Sequence, residues 1–449
     1  MSEENQLKLG VVPNSFLYRV LGLGLVLTYA RIRFGIRVRN NKEVSRMKGP
    51  LVCVGNHPSY LDPMVMAAVL LGRKINFVAG AFLFRDRFIG PLFAAGGCIP
   101  KVQFRSDSRA VKAMITVLKN GGTLGLFPEA TRFIDGHSIV IDDALARMVK
   151  RTDSGVAFLE TNGAYSTWPR WSTNKFRRGR IEGRIKKVLS QQEVMTMSVE
   201  ELHAVMMEQL NYNEYDWLRA NPRTFKSKAI AAGAENVAYV CPRCEKDNTI
   251  KSEIDMLYCT ACGNKVRMDA SGFLHPFSEL DRSFEDLHLW KEWEKARMTV
   301  RVQEPGFFLE EKTLLLLPKG EYEYREVGEG VVRIEKDQII YRGTACDLED
   351  GIPYTKKELK AARRTNHGRI MKPSLANAPV VTKTFSISHI RGISAEYGKR
   401  FELIETDGLI NRFVIENGQR VLEMQMAIQC LKELAKDNQE KTEEPKKVP

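Results

Sequence analysis

The fold of this chain is most constrained by a short apolar run that ends at a glycine and a polar loop. Residues Leu51–Val54 are apolar, and the loop 56–62 leads to Pro63 and a periodic apolar stretch. An apolar run of this length, bounded by glycine, indicates a buried strand. Proline suits the first turn of a helix, and Asp62 just before it is a suitable N-cap. The pattern predicts a strand–loop–helix unit of a mixed α/β sheet, with His57 in the loop.

His57 and Asp62 suggest general-base chemistry in this loop. Histidine titrates near neutral pH, so its neutral form can accept a proton from an alcohol. A carboxylate on the other ring nitrogen would fix the tautomer and stabilise the imidazolium. Ligands of open α/β sheets bind at such strand ends. On this motif alone the alternative is structural, with His57 a polar loop residue and Asp62 only a cap.

A second predicted strand also ends in charged residues. Residues Thr123–Phe127 form a buried run, and Glu129 and Arg132 follow it directly. A planar guanidinium is suited to bidentate binding of phosphate. The sequence therefore indicates an anion site here, with a local ion pair in a turn as the alternative.

Size and charge point to several domains and an anionic partner. The 449 residues carry a formal net charge of +13, and 43 % of them are hydrophobic. This length suits about three domains with substantial cores. A basic chain favours nucleic acid, acidic lipid head groups or a phosphorylated substrate, and charge alone does not choose among them.

An apolar segment near the N-terminus predicts attachment to a membrane surface. Phe16–Ala30 is apolar apart from Arg19 and Thr28, and arginines flank it. It is short for a transmembrane span, and it suits a helix in the membrane interface whose arginines reach head groups. We therefore assign residues 1–40 to an interfacial segment of a peripheral or monotopic protein. A buried core helix is the alternative.

Four of the eight cysteines form two Cys-x-x-Cys pairs, Cys241 with Cys244 and Cys259 with Cys262. Four thiolates in this arrangement suit a structural tetrahedral Zn²⁺ ion, so residues 237–275 are predicted to be a zinc ribbon. The other four cysteines are scattered, which favours a reducing, cytoplasmic compartment rather than a disulfide framework.

The C-terminal part has alternating patterns typical of strands. Residues 276–297 read as a helical connector, and residues 298–437 as a β-rich domain closed by the amphipathic helix Gln419–Lys436. Several antiparallel strands and one final helix resemble a pleckstrin-homology-like barrel. Residues 350–380 are predicted to be a mobile loop, and 438–449 a disordered tail. The predicted strands are Val331–Ile334, Gln338–Tyr341, Thr384–Ile387, Ile393–Tyr397, Arg400–Ile404 and Ile410–Ile415.

The first half of the chain resembles the glycerolipid acyltransferases, whose best-known members are the 1-acylglycerol-3-phosphate acyltransferases. The resemblance spans roughly residues 15–220 and rests on ordered sequence blocks. These are the His-x4-Asp block 56–62, the glycine turn 96–97, the block Phe127-Pro-Glu-Ala-Thr-Arg132, and 155–163 with Trp168-Pro-Arg170. Ala130 stands where the family usually has glycine.

The resemblance implies roles for individual residues. His57 is the expected base, and Asp62 its orienting partner. Glu129, Thr131 and Arg132 are expected at the acceptor site, with Arg132 on the phosphate. The family's second block usually ends in an arginine, and here a basic residue between Lys101 and Arg105 would fill that role, with Lys101 assigned to substrate binding. The implied substrates are a lysophospholipid and an acyl donor, either acyl-CoA, an acyl carrier protein or an acyl phosphate.

Three functions stay open at this point. The first is an acyltransferase on the cytoplasmic face of an anionic phospholipid membrane. The second is a nucleic-acid-binding zinc-ribbon protein, which leaves His57, Asp62, Glu129 and Arg132 unexplained, so nucleic acid is not the expected partner. The third is an inactive acyltransferase fold that acts as a membrane adaptor.

Overall fold

The structure is a computed structural model, and it describes most of the chain. The described residues are 24, 27–39, 42–85, 89–102, 107–129, 131–174, 176–319, 323–353 and 378–443. The chain divides into two compact units. Unit 1 comprises Met1–Arg170, Lys175–Ile230 and Ala270–Phe273, and unit 2 comprises Trp171–Asn174, Ala231–Asp269 and Leu274–Pro449.

Unit 1 is built on a seven-stranded mixed sheet in the order β1-β7-β6-β2-β5-β3-β4. Strands β6, β2, β5, β3 and β4 run parallel, and β7 is antiparallel to β6. The strands are β1 Ile36–Val38, β2 Leu51–Gly55, β3 Asn76–Gly80, β4 Ile99–Lys101, β5 Thr123–Leu126, β6 Gly155–Asn162 and β7 Ile181–Leu189.

Helices cover both faces of this sheet, as the sequence predicted for an α/β domain. Alternate residues of the central strands face opposite sides, so Val52 and Val54 lie in one hydrophobic cluster and Leu51 and Cys53 in the other. Among the described residues, the α-helices of unit 1 are Leu27–Phe34, Lys42–Arg46, Asp62–Val69, Ile89–Ala95, Ser108–Lys119, Ala144–Arg151, Ala164–Thr167, Gln191–Thr196, Val199–Leu210 and Glu214–Ala220.

The start of the helix after His57 differs from the prediction. Asp62 is the first helical residue and Leu61 occupies the N-cap position, without a side-chain capping bond. Asp62 does not cap because its carboxylate points back to the loop and accepts hydrogen bonds there. By contrast, the predicted capping box of Ser198 and Glu201 is present on the helix Val199–Leu210.

The predicted interfacial segment Phe16–Ala30 lies mostly outside the described residues. Its described end belongs to the helix Leu27–Phe34, in which Ala30 and Phe34 are buried while Tyr29 and Ile32 are exposed. Among the residues with a described placement, no helix combines the length and the apolar character that crossing a bilayer requires.

Unit 2 contains a small antiparallel sheet around the four cysteines and a larger β-rich part. The small sheet has the order β11-β10-β9-β8 and consists of β8 Ile250–Glu253, β9 Met256–Cys259, β10 Lys265–Met268 and β11 Leu274–Pro276. The helix Leu287–Arg301 follows it, so the predicted connector 276–297 includes the end of a strand and its helix extends four residues further.

The larger sheet of unit 2 has the path β16-β14-β13-β12-β19-β18-β17, with β15 paired to β13. Neighbouring strands are antiparallel, and the helix Arg420–Glu443 packs against β17 and β18. The strands are β12 Phe308–Lys319, β13 Glu323–Glu335, β14 Gln338–Thr344, β15 Ile352–Pro353, β16 Val380–Ser386, β17 Ile390–Glu396, β18 Arg400–Glu405 and β19 Ile410–Ile415.

Two features of this sheet differ from the sequence prediction. Strand β12 was not predicted, because its run of four leucines, Leu314–Leu317, hides the alternation expected of a strand. The final helix continues to Glu443, where residues from 438 onward were predicted to be disordered. Gln439, Glu440 and Lys441 are good helix formers, which accounts for the extension. Most of the predicted mobile loop 350–380, and residues 444–449, lie outside the described part.

Within unit 2, the first cysteine loop is bound to both long helices. Glu423 of the final helix accepts a hydrogen bond from the Asn248 side chain. It also forms an ion pair with Arg301, and Arg301 forms a second ion pair with Asp247. Glu294 of the connector helix is fully buried, and one of its oxygens accepts the amides of residues 239 and 240. The cysteine loop is therefore held by charged groups of two helices that are distant in sequence.

Candidate active site and metal centre

The two predicted strand ends meet in unit 1. Strands β2 and β5 are neighbours and run parallel, with Val54 paired to Leu126. The loops that follow them therefore leave the same edge of the sheet and bring His57 next to Glu129. Strand β6 flanks β2 on the other side. Asn56 binds Thr161 at the end of β6 through both its amide nitrogen and its oxygen, which fixes the start of the His57 loop.

His57 and Asp62 form a hydrogen-bonded pair. The Nδ1 atom of His57 lies 2.8 Å from Oδ2 of Asp62, and the same oxygen accepts the backbone amide of Ser59 at 2.9 Å. Asp62 is fully buried, whereas 21 % of the His57 side chain is exposed. The imidazole stacks on Phe127, with ring centroids 4.7 Å apart. This arrangement fixes the ring and directs its Nε2 atom away from Asp62.

The surroundings keep His57 neutral. Burial, together with the positive charges of Arg132 and Arg170, lowers the pKa of His57 to about 3. Burial raises the pKa of Asp62, while the amide of Ser59 and the charge of Arg132 oppose that shift. Because Oδ2 accepts two N–H groups, the carboxylate form of Asp62 fits the hydrogen bonds, and Nε2 of the neutral imidazole is left as a proton acceptor.

Glu129 ties loops together rather than facing outward. Its Oε1 accepts the backbone amide of His57 at 3.2 Å, and its Oε2 accepts that of Ile139 at 3.2 Å. The side chain is buried, which raises the pKa of its carboxyl group. The sequence predicted Glu129 at the acceptor site; in the structure its contacts are those of a group that positions the His57 loop.

Arg132 lies close to the His57 pair. Its guanidinium carbon is 3.4 Å from the ring centroid of Tyr60, a residue of the His57 loop that is 57 % exposed. Its Nη1 atom is buried and has no hydrogen-bond partner among the described residues. An unpaired buried guanidinium nitrogen is costly, so this position favours an anionic ligand.

Arg170 is a second cation at this place, and it was not among the site residues predicted from the sequence. Its Nη1 atom lies 2.5 Å from Oγ1 of Thr131, the residue before Arg132. Its charge also acts on His57. Its position in the Trp168-Pro-Arg170 block was the available signal.

Lys101 lies farther away on the same edge of the sheet. It ends β4, where it pairs with Gly80 of β3. Three strand spacings separate β4 from β2, which corresponds to about 14 Å. The structure therefore places Lys101 at the same edge of the sheet as His57 but does not bring it into contact with the His57 pair. Arg105, another basic residue near this block, lies outside the described residues.

The four predicted metal ligands converge in unit 2. The sulfur atoms of Cys241, Cys244, Cys259 and Cys262 all lie within 4.8 Å of one another. Two of the sulfur pairs, Cys241 with Cys262 and Cys244 with Cys259, are 3.7 Å apart. A tetrahedron with Zn–S bonds of about 2.3 Å has edges of about 3.8 Å, so the donor set fits a tetrahedral Zn²⁺ ion.

Comparisons with known proteins agree with the geometry of unit 1. Residues 35–159 match the family model described as "Acyltransferase". The chain is 28 % identical over 106 residues to the chloroplastic 1-acyl-sn-glycerol-3-phosphate acyltransferase of Arabidopsis thaliana, covering 23 % of this chain and 29 % of that protein. It is 26 % identical over 101 residues to the 1-acyl-sn-glycerol-3-phosphate acyltransferase of Bacillus subtilis, covering 22 % of this chain and 50 % of that protein. The chain thus spans at most half the length of these two relatives.

A solved structure is also similar to part of the chain. The crystal structure of the 1-acyl-sn-glycerophosphate acyltransferase PlsC from Thermotoga maritima matches with a TM-score of 0.39 and 20 % sequence identity, covering 47 % of this chain and 85 % of that chain. The matched family segment contains β2, β5 and both loops that carry His57, Asp62, Glu129 and Arg132. Residues 35–159 are therefore similar to the acyltransferase family.

Proposed function

We propose that this protein is an O-acyltransferase that moves a fatty acyl group from an activated thioester, or from an acyl phosphate, to the free hydroxyl of a lysophospholipid. The observation that carries the proposal is the His57–Asp62 pair beside the unpaired guanidinium nitrogen of Arg132. One group can accept a hydroxyl proton, and the other can bind an anionic head group.

His57 acts as the general base in this proposal. The acceptor hydroxyl gives its proton to Nε2 as its oxygen attacks the carbonyl carbon of the acyl thioester. Asp62 stabilises the imidazolium through Nδ1. The carbon–sulfur bond then breaks, the thiolate takes the proton from His57, and the ester and the free thiol leave. No covalent acyl-enzyme is required.

The acceptor that best fits the site is a phosphomonoester, most simply 1-acylglycerol-3-phosphate, with phosphatidic acid as the product. Arg132 binds the phosphate, while Thr131 orients Arg170 and Glu129 holds the loop of His57 in place. Lys101 is available for a more distant part of the acceptor or donor. The acyl donor is acyl-CoA, an acyl carrier protein or an acyl phosphate.

Unit 2 has a supporting role in the proposal. The four cysteines bind one structural Zn²⁺ ion, and N–H groups of residues 243 and 261 donate to the sulfur atoms of Cys241 and Cys259, as expected around thiolates. The antiparallel strands and the final helix support a pleckstrin-homology-like domain in this proposal. Together with the exposed apolar and basic residues of the helix Leu27–Phe34, this favours a peripheral or monotopic protein on the cytoplasmic face of an anionic membrane.

An acyl-transfer assay tests the proposal. The purified protein is incubated with vesicle-presented lysophospholipids and each donor class, and the products are resolved by mass spectrometry. We expect phosphatidic acid from 1-acylglycerol-3-phosphate, and a loss of about 10²–10⁴-fold in rate for His57→Gln. His275→Gln, an exposed histidine of unit 2, is the matched control. Full turnover in His57→Gln would reject the assigned base, and no product with any donor and acceptor would reject the function.

A further inference from the structure

The surroundings of His57 make its imidazole a weak base. A general base works best when its pKa lies near the working pH, because a much weaker base does not take up the proton effectively. Burial and two cations hold the pKa of His57 far below that range. The protein alone therefore presents a correctly oriented but weakly basic imidazole.

The two cations converge from separate loops. Arg132 follows β5, and its buried Nη1 atom lacks a hydrogen-bond partner among the described residues. Arg170 follows β6 and the short helix Ala164–Thr167, and it donates to Thr131, the neighbour of Arg132. Both guanidinium groups are partly buried. An anion placed beside Thr131 can therefore reach both.

The carboxylates around His57 offset these cations only in part, since the pKa of His57 stays lowered. Asp62 accepts hydrogen bonds from Nδ1 of His57 and from the amide of Ser59. Each oxygen of Glu129 accepts a hydrogen bond from a backbone amide. One face of the imidazole stacks on Phe127, which is uncharged. A ligand that brings negative charge to Arg132 and Arg170 would thus change the charge balance at His57 most directly.

We propose that Arg170 is a second cation of the acceptor-phosphate site, and that a phosphate held by Arg132 and Arg170 makes His57 a stronger base. This inference rests on the proposed function and deepens it. A phosphomonoester carries between one and two negative charges near neutral pH. Its charge offsets the two guanidinium groups, which weakens the repulsion that disfavours a proton on Nε2, while the larger effect of burial remains.

The inference assigns a substrate class. A phosphodiester with a cationic head group carries no net charge. A phosphomonoester acceptor therefore offsets more of the positive charge of the site. The site therefore selects phosphomonoester acceptors through the rate of proton transfer as well as through binding. Phosphate recognition raises kcat, not only affinity, because it acts on the base.

A titration of His57 by NMR tests the inference without measuring catalysis. The chain is labelled at the imidazole carbons, and the His57 signal is assigned by its loss in His57→Gln. We expect inorganic phosphate to raise the pKa of His57 by about one unit or more. Arg170→Gln should raise it in the absence of phosphate and reduce the response to added phosphate. Arg147→Gln, an exposed arginine paired with Asp143, is the control.

A kinetic experiment gives a second readout. With a monoacylglycerol, which has no phosphate, inorganic phosphite should increase the rate of acyl transfer about tenfold or more in the wild type and much less in Arg170→Gln. A His57 pKa that is unchanged both by phosphate and by Arg170→Gln would overturn the inference. The NMR result decides it even if no acyl transfer is detected, an outcome that would count against the proposed function instead.

Discussion

Oδ2 of Asp62 lies 2.8 Å from Nδ1 of His57, and it accepts the amide of Ser59 at 2.9 Å as well. One carboxylate oxygen therefore holds both the ring and the loop that carries the ring. Because Asp62 is the first residue of the helix Asp62–Val69, the orientation of the imidazole is set by a rigid element rather than by the loop alone.

We expect Asp62→Asn to lower kcat by about 10²–10⁴-fold while the chain stays folded. Asparagine keeps the size of the side chain, but it removes the charge that stabilises the imidazolium and permits the wrong tautomer. The rate at saturating acceptor and the near-UV circular dichroism spectrum are the measurements. A kcat within threefold of the wild-type value would contradict this role.

Glu129→Gln should destabilise unit 1 by about 1–3 kcal/mol. The two carboxylate oxygens accept two backbone amides, and a glutamine would turn an NH₂ group toward one of them. Urea unfolding measures the change, with Glu208→Gln on an exposed helix surface as the control. Equal unfolding midpoints for both variants would show that Glu129 does not tie the loops together.

His57 should make the folded state less stable in acid. Its pKa is lowered to about 3 in the folded protein, against an ordinary value of about 6.5 in the unfolded chain. Between these values the unfolded chain binds more protons, so the free energy of unfolding falls as the pH is lowered from about 6.5 toward 3.

His57→Gln removes this proton uptake. When the pH is lowered from 7.5 to 5, the free energy of unfolding of the variant should rise relative to that of the wild type by up to about 2 kcal/mol. Urea unfolding of both proteins at the two pH values gives the difference. If the free energy of unfolding changes by the same amount in both proteins, the pKa of His57 is close to its ordinary value when the protein is folded.

Purified protein should contain about one zinc ion per chain, as expected for a closed four-cysteine site. Cys244→Ser should lose most of this zinc because it removes one of four converging thiols. Cys346→Ser, which alters a cysteine outside the cluster, should keep it. Elemental analysis after dialysis against a weak chelator decides the matter, and zinc retained in Cys244→Ser would refute the four-thiolate site.

Ile32→Asp should weaken binding to anionic vesicles about tenfold or more. Ile32 is 81 % exposed on the helix Leu27–Phe34, and inserting one such side chain into a bilayer surface is worth about 1.5–3 kcal/mol. The control is Val140→Asp, which changes a residue of unit 1 that is 78 % exposed. Sedimentation with vesicles measures the binding of both variants. Equal losses of vesicle binding would show that the helix Leu27–Phe34 is not the part that contacts the membrane.

The strand ends of unit 1 could be predicted from the sequence because short apolar runs followed by glycine or proline define them locally. That Leu51–Val54 and Thr123–Phe127 are adjacent parallel strands could not be derived from spacing alone, although it determines that His57 meets Glu129. The resemblance to the acyltransferases supplied that expectation, and the family match at residues 35–159 confirms the recognition.

The roles of individual side chains were harder to predict than the strands. The direction in which Asp62 and Glu129 point depends on backbone amides of distant residues, which no local pattern contains. Arg170 was overlooked because the Trp168-Pro-Arg170 block does not show which of its side chains faces the site. Strand β12 was missed because both of its faces are apolar over residues 314–317, so its period is not visible.

The contact between Asn248 and Glu423 joins residues that are 175 positions apart. A chain emerging from the ribosome completes the cysteine loop long before it makes residues 419–423, and early domains ordinarily fold before later ones are synthesised. The ribbon must then remain without its helical partner while the whole larger sheet is being translated. Metal capture during that interval would hold the loop in the shape that the last helix later needs.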